Sequence, residues 1–182
     1  GFYYKPRIDY DVLSQYSKGL IGLSACLSGV IPRLILANQY EEAKRKAIEI
    51  EQILGRGNFY LELQPNSIPE QKIANTSLIK ISRETGIPLV ATNDAHYLYK
   101  HDARPHDILL CIQTGKRIDD EDRMSFSTDE AYLKSPDEMW EAFKELPEAC
   151  ENTCKIADSC DVDFEFNKIY LPKFDVPDNK DS

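Results

Sequence analysis

The chain has 182 residues, enough to bury the core of one domain, or of one domain and part of another. Hydrophobic residues make up 42% and charged residues 29%, a composition typical of globular proteins and not of disordered chains. The net charge of −9 argues against nucleic-acid binding by this chain alone, since phosphate backbones bind to basic surfaces. No apolar run approaches the ~20 residues that span a bilayer, so we expect no membrane contact.

Apolar runs alternate with helical patterns through the first 114 residues. Strand, helix, strand, helix in succession is typical of βαβ units and predicts an α/β fold with a parallel sheet. The predicted strands cover residues 19–24, 58–63 and 89–96, and the predicted helices cover residues 31–38, 41–54, 69–84 and 102–113. Three such units are too few for a closed barrel of about eight strands. The sequence therefore predicts either a small open sheet or part of a barrel.

The composition changes after Gly115. Residues 116–129 are charged and rich in turn formers, whereas Ser135, followed by Pro136 and Glu138, forms a capping box that predicts a helix start. A last helix is expected from 148 to about 160, with Thr153, Ile156, Ala157 and Cys160 on one face. The tail from residue 171 contains prolines and charges and is expected to be an extended linker.

Asp94 and His96 end the third predicted strand. Alternate residues of a strand point the same way, so their side chains should project together from its carboxyl end. Carboxylate and imidazole are good metal ligands, and the carboxyl ends of parallel strands are where α/β enzymes form their sites. The pair therefore predicts a metal site, with a turn-capping aspartate and a packed loop histidine as the alternative.

Cys26 follows the first predicted strand by two residues. All strands of a parallel sheet end on the same side, which brings Cys26 towards Asp94 and His96. A thiolate, a carboxylate and an imidazole are together suitable ligands for Zn²⁺ or a similar transition metal. The alternative is that Cys26 is a small buried hydrophobic residue.

Other ionisable residues are weaker candidates. Glu62 alternates with leucines and is expected to face solvent or a partner, and His101 and His106 are expected at the surface or at a helix cap. Five cysteines without a secretory signal fit reduced thiols in the cytoplasm. Three of them recur on the last predicted helix without a zinc-knuckle spacing, so we expect core packing from Cys150, Cys154 and Cys160.

Five segments, in order along residues 1–172, resemble the alpha subunits of bacterial DNA polymerase III, the C-family replicative polymerases. The segments are residues 1–9, 23–29, 91–97, 107–115 and 132–139. The resemblance implies that residues 1–114 form the second half of a PHP (polymerase and histidinol phosphatase) domain, a distorted (β/α)7 barrel. It further implies that residues 115–170 form a helical connection towards the polymerase palm and that residues 171–182 form the linker. The start at Gly1, without a methionine, also suggests a piece of a longer protein.

The resemblance also implies a function for the candidate site. The positions that match PHP metal ligands are Cys26, Asp94 and His96, in a centre that usually holds zinc or manganese. The other family ligands precede this chain, so the segment alone should not hold the full cluster. The family's Mg²⁺-dependent polymerase carboxylates lie beyond residue 182, which leaves the segment alone without a complete active site.

Two hypotheses follow from the resemblance. In the first, the parent is a DNA polymerase whose PHP domain is a metal-dependent phosphoesterase, such as a 3′→5′ proofreading exonuclease. In the second, the PHP half-barrel is a structural module that braces the polymerase or docks a separate proofreading subunit. The implied partners are DNA, deoxynucleoside triphosphates, the sliding clamp and a proofreading subunit, all in the cytoplasm.

Overall fold

The computed structural model describes residues 2–169 and residue 171, with only the backbone described for Phe2 and Tyr3. The predicted linker at 171–182 therefore lies outside the described residues apart from Leu171. The strands are β1 Phe2–Tyr3, β2 Lys5–Pro6, β3 Gly22–Leu23, β4 Phe59–Leu63 and β5 Leu89–Ala91. The helices are α1 Tyr10–Gln15, α2 Val30–Leu36, α3 Tyr40–Leu54, α4 Pro69–Thr85, α5 Ala103–Thr114, α6 Pro136–Ala142 and α7 Pro147–Ser159, with a 3-10 turn at Lys100–Asp102.

The central sheet contains three parallel strands in the order β3-β4-β5. The crossovers from β3 to β4 and from β4 to β5 contain helices, α2 and α3 in the first and α4 in the second. This confirms the predicted α/β class and is the architecture expected of part of a β/α barrel. Strands β1 and β2 form a separate antiparallel ribbon near the amino terminus.

The core lies between the sheet and its crossover helices. Along β4, Phe59, Leu61 and Leu63 are buried, while Tyr60 and Glu62 on the opposite face are half-buried. The main core side chains contributed by the helices are Ile31, Ala43, Ala47, Leu78 and Ile81, each with no exposed surface. One face of β4 is therefore buried against the helices, and its opposite face carries Tyr60 and Glu62.

Strand β5, which corresponds to the third predicted strand at residues 89–96, is shorter than predicted. It ends at Ala91, and the chain turns away within three residues because Asp94 has a φ of 48°, in the left-handed region. Asp94 and His96 therefore lie in a loop, and the prediction that they alternate on a strand is wrong. The first predicted strand, at residues 19–24, is likewise shorter in the structure, where β3 covers only Gly22–Leu23.

Helix α7 packs on β5 with a different face from the one predicted. Its buried residues are Ala149, Cys150 and Asn152, and the Asn152 side-chain amide donates to the Leu89 carbonyl oxygen at 2.7 Å. Cys150 is buried as expected, but Cys154 and Cys160 are exposed, so their predicted core packing is wrong. Among the described residues, no helix is long and apolar enough to cross a membrane.

Candidate metal centre

Cys26 lies in a tight loop between β3 and α2. Ala25 has a φ of 65°, and the Gly29 backbone N–H donates to the Cys26 carbonyl oxygen at 2.8 Å. A Cβ at Gly29 would lie 2.3 Å from the Ser24 carbonyl oxygen, closer than real Cβ atoms approach. The loop therefore requires glycine at this position to hold Cys26 beyond the strand end.

Asp94 and His96 lie in the loop after β5. Their side chains approach each other, with His96 Nε2 3.4 Å from Asp94 Oδ1, although they do not share a strand. The His96 backbone N–H donates to the Ala131 carbonyl oxygen at 2.8 Å, which fixes the loop against the segment before α6. The His96 side chain is 40% exposed and the Asp94 side chain 42%, so both are accessible to an ion or a ligand.

Cys26, Asp94 and His96 line one cavity of about 340 Å³ at the carboxyl ends of the parallel strands. A thiol, a carboxylate and an imidazole match zinc in donor chemistry. In geometry, however, no group of three or more His, Cys, Asp or Glu within the described residues is arranged to hold a metal ion. By their chemistry, Cys26, Asp94 and His96 fit part of a metal site. Further ligands would be needed to complete it.

A row of hydrogen-bonded polar groups crosses the sheet, two residues before the candidate ligands. The Glu62 backbone N–H donates to Ser24 Oγ at 2.8 Å, and the Thr92 hydroxyl donates to the Glu62 carboxylate. Ser24 precedes Cys26 by two residues, and Thr92 precedes Asp94 by two. Glu62, expected to face solvent or a partner, is instead half-buried between the two loops that carry the candidate ligands.

Amide side chains form one wall of the cavity. The Asn75 side-chain amide nitrogen donates to the Gln64 backbone carbonyl oxygen at 2.7 Å, and the Gln71 side-chain amide nitrogen donates to Asn75 Oδ1 at 2.9 Å. Because a backbone carbonyl can only accept, these two hydrogen bonds fix the orientations of the Asn75 and Gln71 amides and leave Gln71 Oε1 facing away from Asn75. That oxygen is buried and has no hydrogen-bond partner, and both Gln64 and Gln71 line the cavity.

Aromatic rings surround His96 on the other side. The Phe126 ring lies 4.7 Å from the His96 ring centroid, and the His106 ring lies 5.7 Å from it. His106, expected at the surface or at a helix cap, is half-buried in this cluster, whereas the His101 side chain is 82% exposed and lies outside the cavity.

The segment that presents Phe126 is fixed to α5 by an ion pair. Both terminal guanidinium nitrogens of Arg123 contact the Asp107 carboxylate, and Arg123 Nε donates to the Ile118 carbonyl oxygen at 3.0 Å. The hydrogen bond from Arg123 lowers the pKa of Asp107 below its usual value. The charged stretch after Gly115 is therefore folded against α5 and reaches the cavity.

Several residues around the cavity were not predicted from the sequence. Gln64 follows Glu62 by two residues at the carboxyl end of β4, so the rule that selected Cys26 and Asp94 also applies to it. Gln71, Phe126 and Lys134 carry no such signal, because their position near the cavity depends on contacts between distant parts of the chain.

Comparison with known proteins identifies the family. Residues 1–66 match the PHP domain, a range that includes Cys26 but neither Asp94 nor His96. DNA polymerase III subunit alpha of Borreliella burgdorferi is 51% identical over 97% of the chain. The subunits of Treponema pallidum and Thermus aquaticus are each 41% identical, over 97% and 99% of the chain.

The chain belongs to the DNA polymerase III alpha family. It spans 15% of the length of these three relatives. The resemblance inferred from five short segments is therefore confirmed over nearly the whole chain, and the α/β structure represents part of a PHP domain of this family.

Proposed function

We propose that the parent of this segment is a DNA-directed DNA polymerase and that Cys26, Asp94 and His96 contribute to a metal-dependent phosphoesterase site. The reaction would be hydrolysis of the 3′-terminal phosphodiester of DNA, a proofreading exonuclease. The observation that carries the proposal is that these three side chains, from two separate loops, line one cavity. The PHP match and the polymerase relatives support a metal-dependent activity.

The same proposal assigns regions and partners. Residues 1–114 belong to the second half of the PHP domain, and residues 115–170 form the connection towards the palm, where the Mg²⁺-dependent polymerase site would lie. DNA, deoxynucleotides, a sliding clamp and a proofreading subunit are partners of the whole polymerase in the cytoplasm. The acidic charge of the segment argues against DNA binding without the rest of the protein.

Cys26, Asp94 and His96 would each bind metal through a different group. Cys26 would bind as a thiolate, His96 through Nε2, and Asp94 through its carboxylate. Bound metal ions would neutralise phosphate charge and lower the pKa of a water molecule. A thiolate beside an imidazole favours Zn²⁺ over Mn²⁺, since manganese prefers oxygen ligands. Hydroxyls on Ser28 and Thr128 supply donors for phosphate oxygens on the cavity wall.

Exonuclease assays on the full-length subunit test this function. Asp94→Ala and His96→Ala should each lower bound metal and the rate of 3′-end hydrolysis while polymerisation continues. His101→Ala is the matched control, because that side chain is exposed and lies outside the cavity. Undiminished metal content and hydrolysis in both site variants would refute the proposal.

A structural role is the second candidate function. It is favoured by the absence, within the described residues, of any three His, Cys, Asp or Glu side chains arranged to hold an ion. In that case the segment braces the polymerase or docks a proofreading subunit. Full-length protein that stays free of transition metal after zinc loading and hydrolyses no DNA ends would support this role.

A further inference from the structure

We propose that Lys134 and Asn93 form a clamp that positions Asp94 and His96 in the candidate metal centre. Both are positioning residues, because the polar atoms of the Asn93 side chain are already bonded to Glu130, Tyr132 and Lys134, and Lys134 does not line the cavity. The inference rests on the proposed function and adds to it a residue from the segment after Gly115.

The Asn93 side chain is held by three groups. Its amide nitrogen donates to the carbonyl oxygens of Glu130, at 3.1 Å, and Tyr132. Its Oδ1 accepts from Lys134 Nζ at 3.0 Å. Carbonyls only accept and an ammonium only donates, so the three contacts allow a single orientation of this amide.

Lys134 is itself fixed in place. Its Nζ also donates to the Glu130 carbonyl oxygen at 2.8 Å and lies 4.4 Å from the centre of the Tyr132 ring. The side chain is half-buried, so a charged group has been partly removed from water beside the loop. Such burial is unfavourable unless the group is well hydrogen-bonded, as it is here.

The clamp acts beside a residue with an uncommon backbone conformation. Asp94 directly follows Asn93 and has a φ of 48°, in the left-handed region that few non-glycine residues occupy, although aspartate is among those that do so most often. On the other side of Asp94, His96 is held by the Ala131 carbonyl oxygen. Without Lys134, Asn93 Oδ1 loses its donor, and one of the two restraints on Asp94 weakens.

Zinc binding by the full-length subunit tests the clamp. Metal-free protein is titrated with Zn²⁺ against a chromophoric chelator, for Lys134→Met, Asn93→Ala and the control Lys144→Met, whose lysine is exposed and pairs with Glu141 on α6. Loss of a residue that orients metal ligands typically lowers affinity about 10–100-fold. We expect that loss in the first two variants and wild-type affinity in the control.

Cobalt substitution separates positioning from general destabilisation. A displaced Asp94 and His96 should alter the visible d–d bands of bound Co²⁺, while the near-ultraviolet thiolate charge-transfer band from Cys26 is retained. Lys134→Arg keeps a donor and should recover part of the zinc affinity. If Lys134→Met does not fold, Asn93→Ala removes the same hydrogen bond from the other side.

Two results would refute the proposed clamp, and only one of them would also refute the proposed function. Wild-type zinc affinity and cobalt spectra in both clamp variants, with zinc binding lost in Asp94→Ala, would refute the clamp and retain the proposed function. Wild-type zinc binding in Asp94→Ala would refute both.

Discussion

Asn152 connects α7 to the outer edge of β5, and its removal should destabilise the fold measurably. The residue is 8% exposed, and its amide donates to the Leu89 carbonyl oxygen at 2.7 Å, while its Oδ1 accepts from Lys155. Asn152→Ala leaves the buried carbonyl without a donor, which costs about 1–3 kcal/mol. With a urea m-value of about 2 kcal/mol per molar, a loss of about 2 kcal/mol lowers the unfolding midpoint by about 1 M.

Urea unfolding of the 182-residue chain, followed by far-ultraviolet circular dichroism, measures this shift. Lys155→Ala is the matched control, because it removes the contact to Oδ1 and leaves the bond to Leu89 intact. The control should change stability by less than about 1 kcal/mol, as is typical of surface pairs and substitutions. Equal midpoints for Asn152→Ala and Lys155→Ala would show that the hydrogen bond from Asn152 to the Leu89 carbonyl oxygen does not stabilise the fold.

Three further predictions concern other parts of the chain. Leu78→Ala, at a fully buried position of α4, should cost about 2–5 kcal/mol in urea unfolding, and a loss below 1 kcal/mol would contradict the described core. Gly29→Ala should disturb the Cys26 loop, seen as faster alkylation of that thiol; an unchanged alkylation rate would argue against the close approach to Ser24. The Tyr132 hydroxyl and the Ser135 backbone N–H lower the pKa of Glu138 from 4.5 to about 2, so its contribution to stability is complete above about pH 4.5 and is lost as the pH falls through about 2. The stability difference between wild type and Glu138→Gln should shrink over that range, and a difference that stays constant would count against this pairing.

Much of the fold could be predicted because local signals mark its helices. Helix α4 was expected at 69–84 and spans Pro69–Thr85, since a proline begins it and Gly86, with a φ of 80°, ends it. The capping box at Ser135 is present with both of its hydrogen bonds. These signals act within a few residues and do not depend on the rest of the fold.

The errors arose where distant contacts decide the structure. The apolar run from Leu89 predicts a strand through His96, but Asn93 is bound to the segment at 130–134, and the strand ends at Ala91. Helix α7 is amphipathic, yet its buried face is set by β5 and includes Asn152. No local pattern in the sequence reports either contact.

The candidate site shows the same division. Strand-end positions and residue chemistry indicate Cys26, Asp94 and His96 in the sequence, and all three line one cavity in the structure. Their use as metal ligands stays a prediction. Lys134 was not found, because its link to the site is a contact across 41 residues of sequence.

Anomalous diffraction at the zinc edge, from crystals of the zinc-loaded full-length subunit, would show whether zinc binds at this cavity. We expect a peak with Cys26 Sγ about 2.3 Å away and with His96 Nε2 and the Asp94 carboxylate about 2.0–2.2 Å from an ion in the same cluster. Zinc peaks elsewhere in the protein, with none at this cavity, would contradict this expectation.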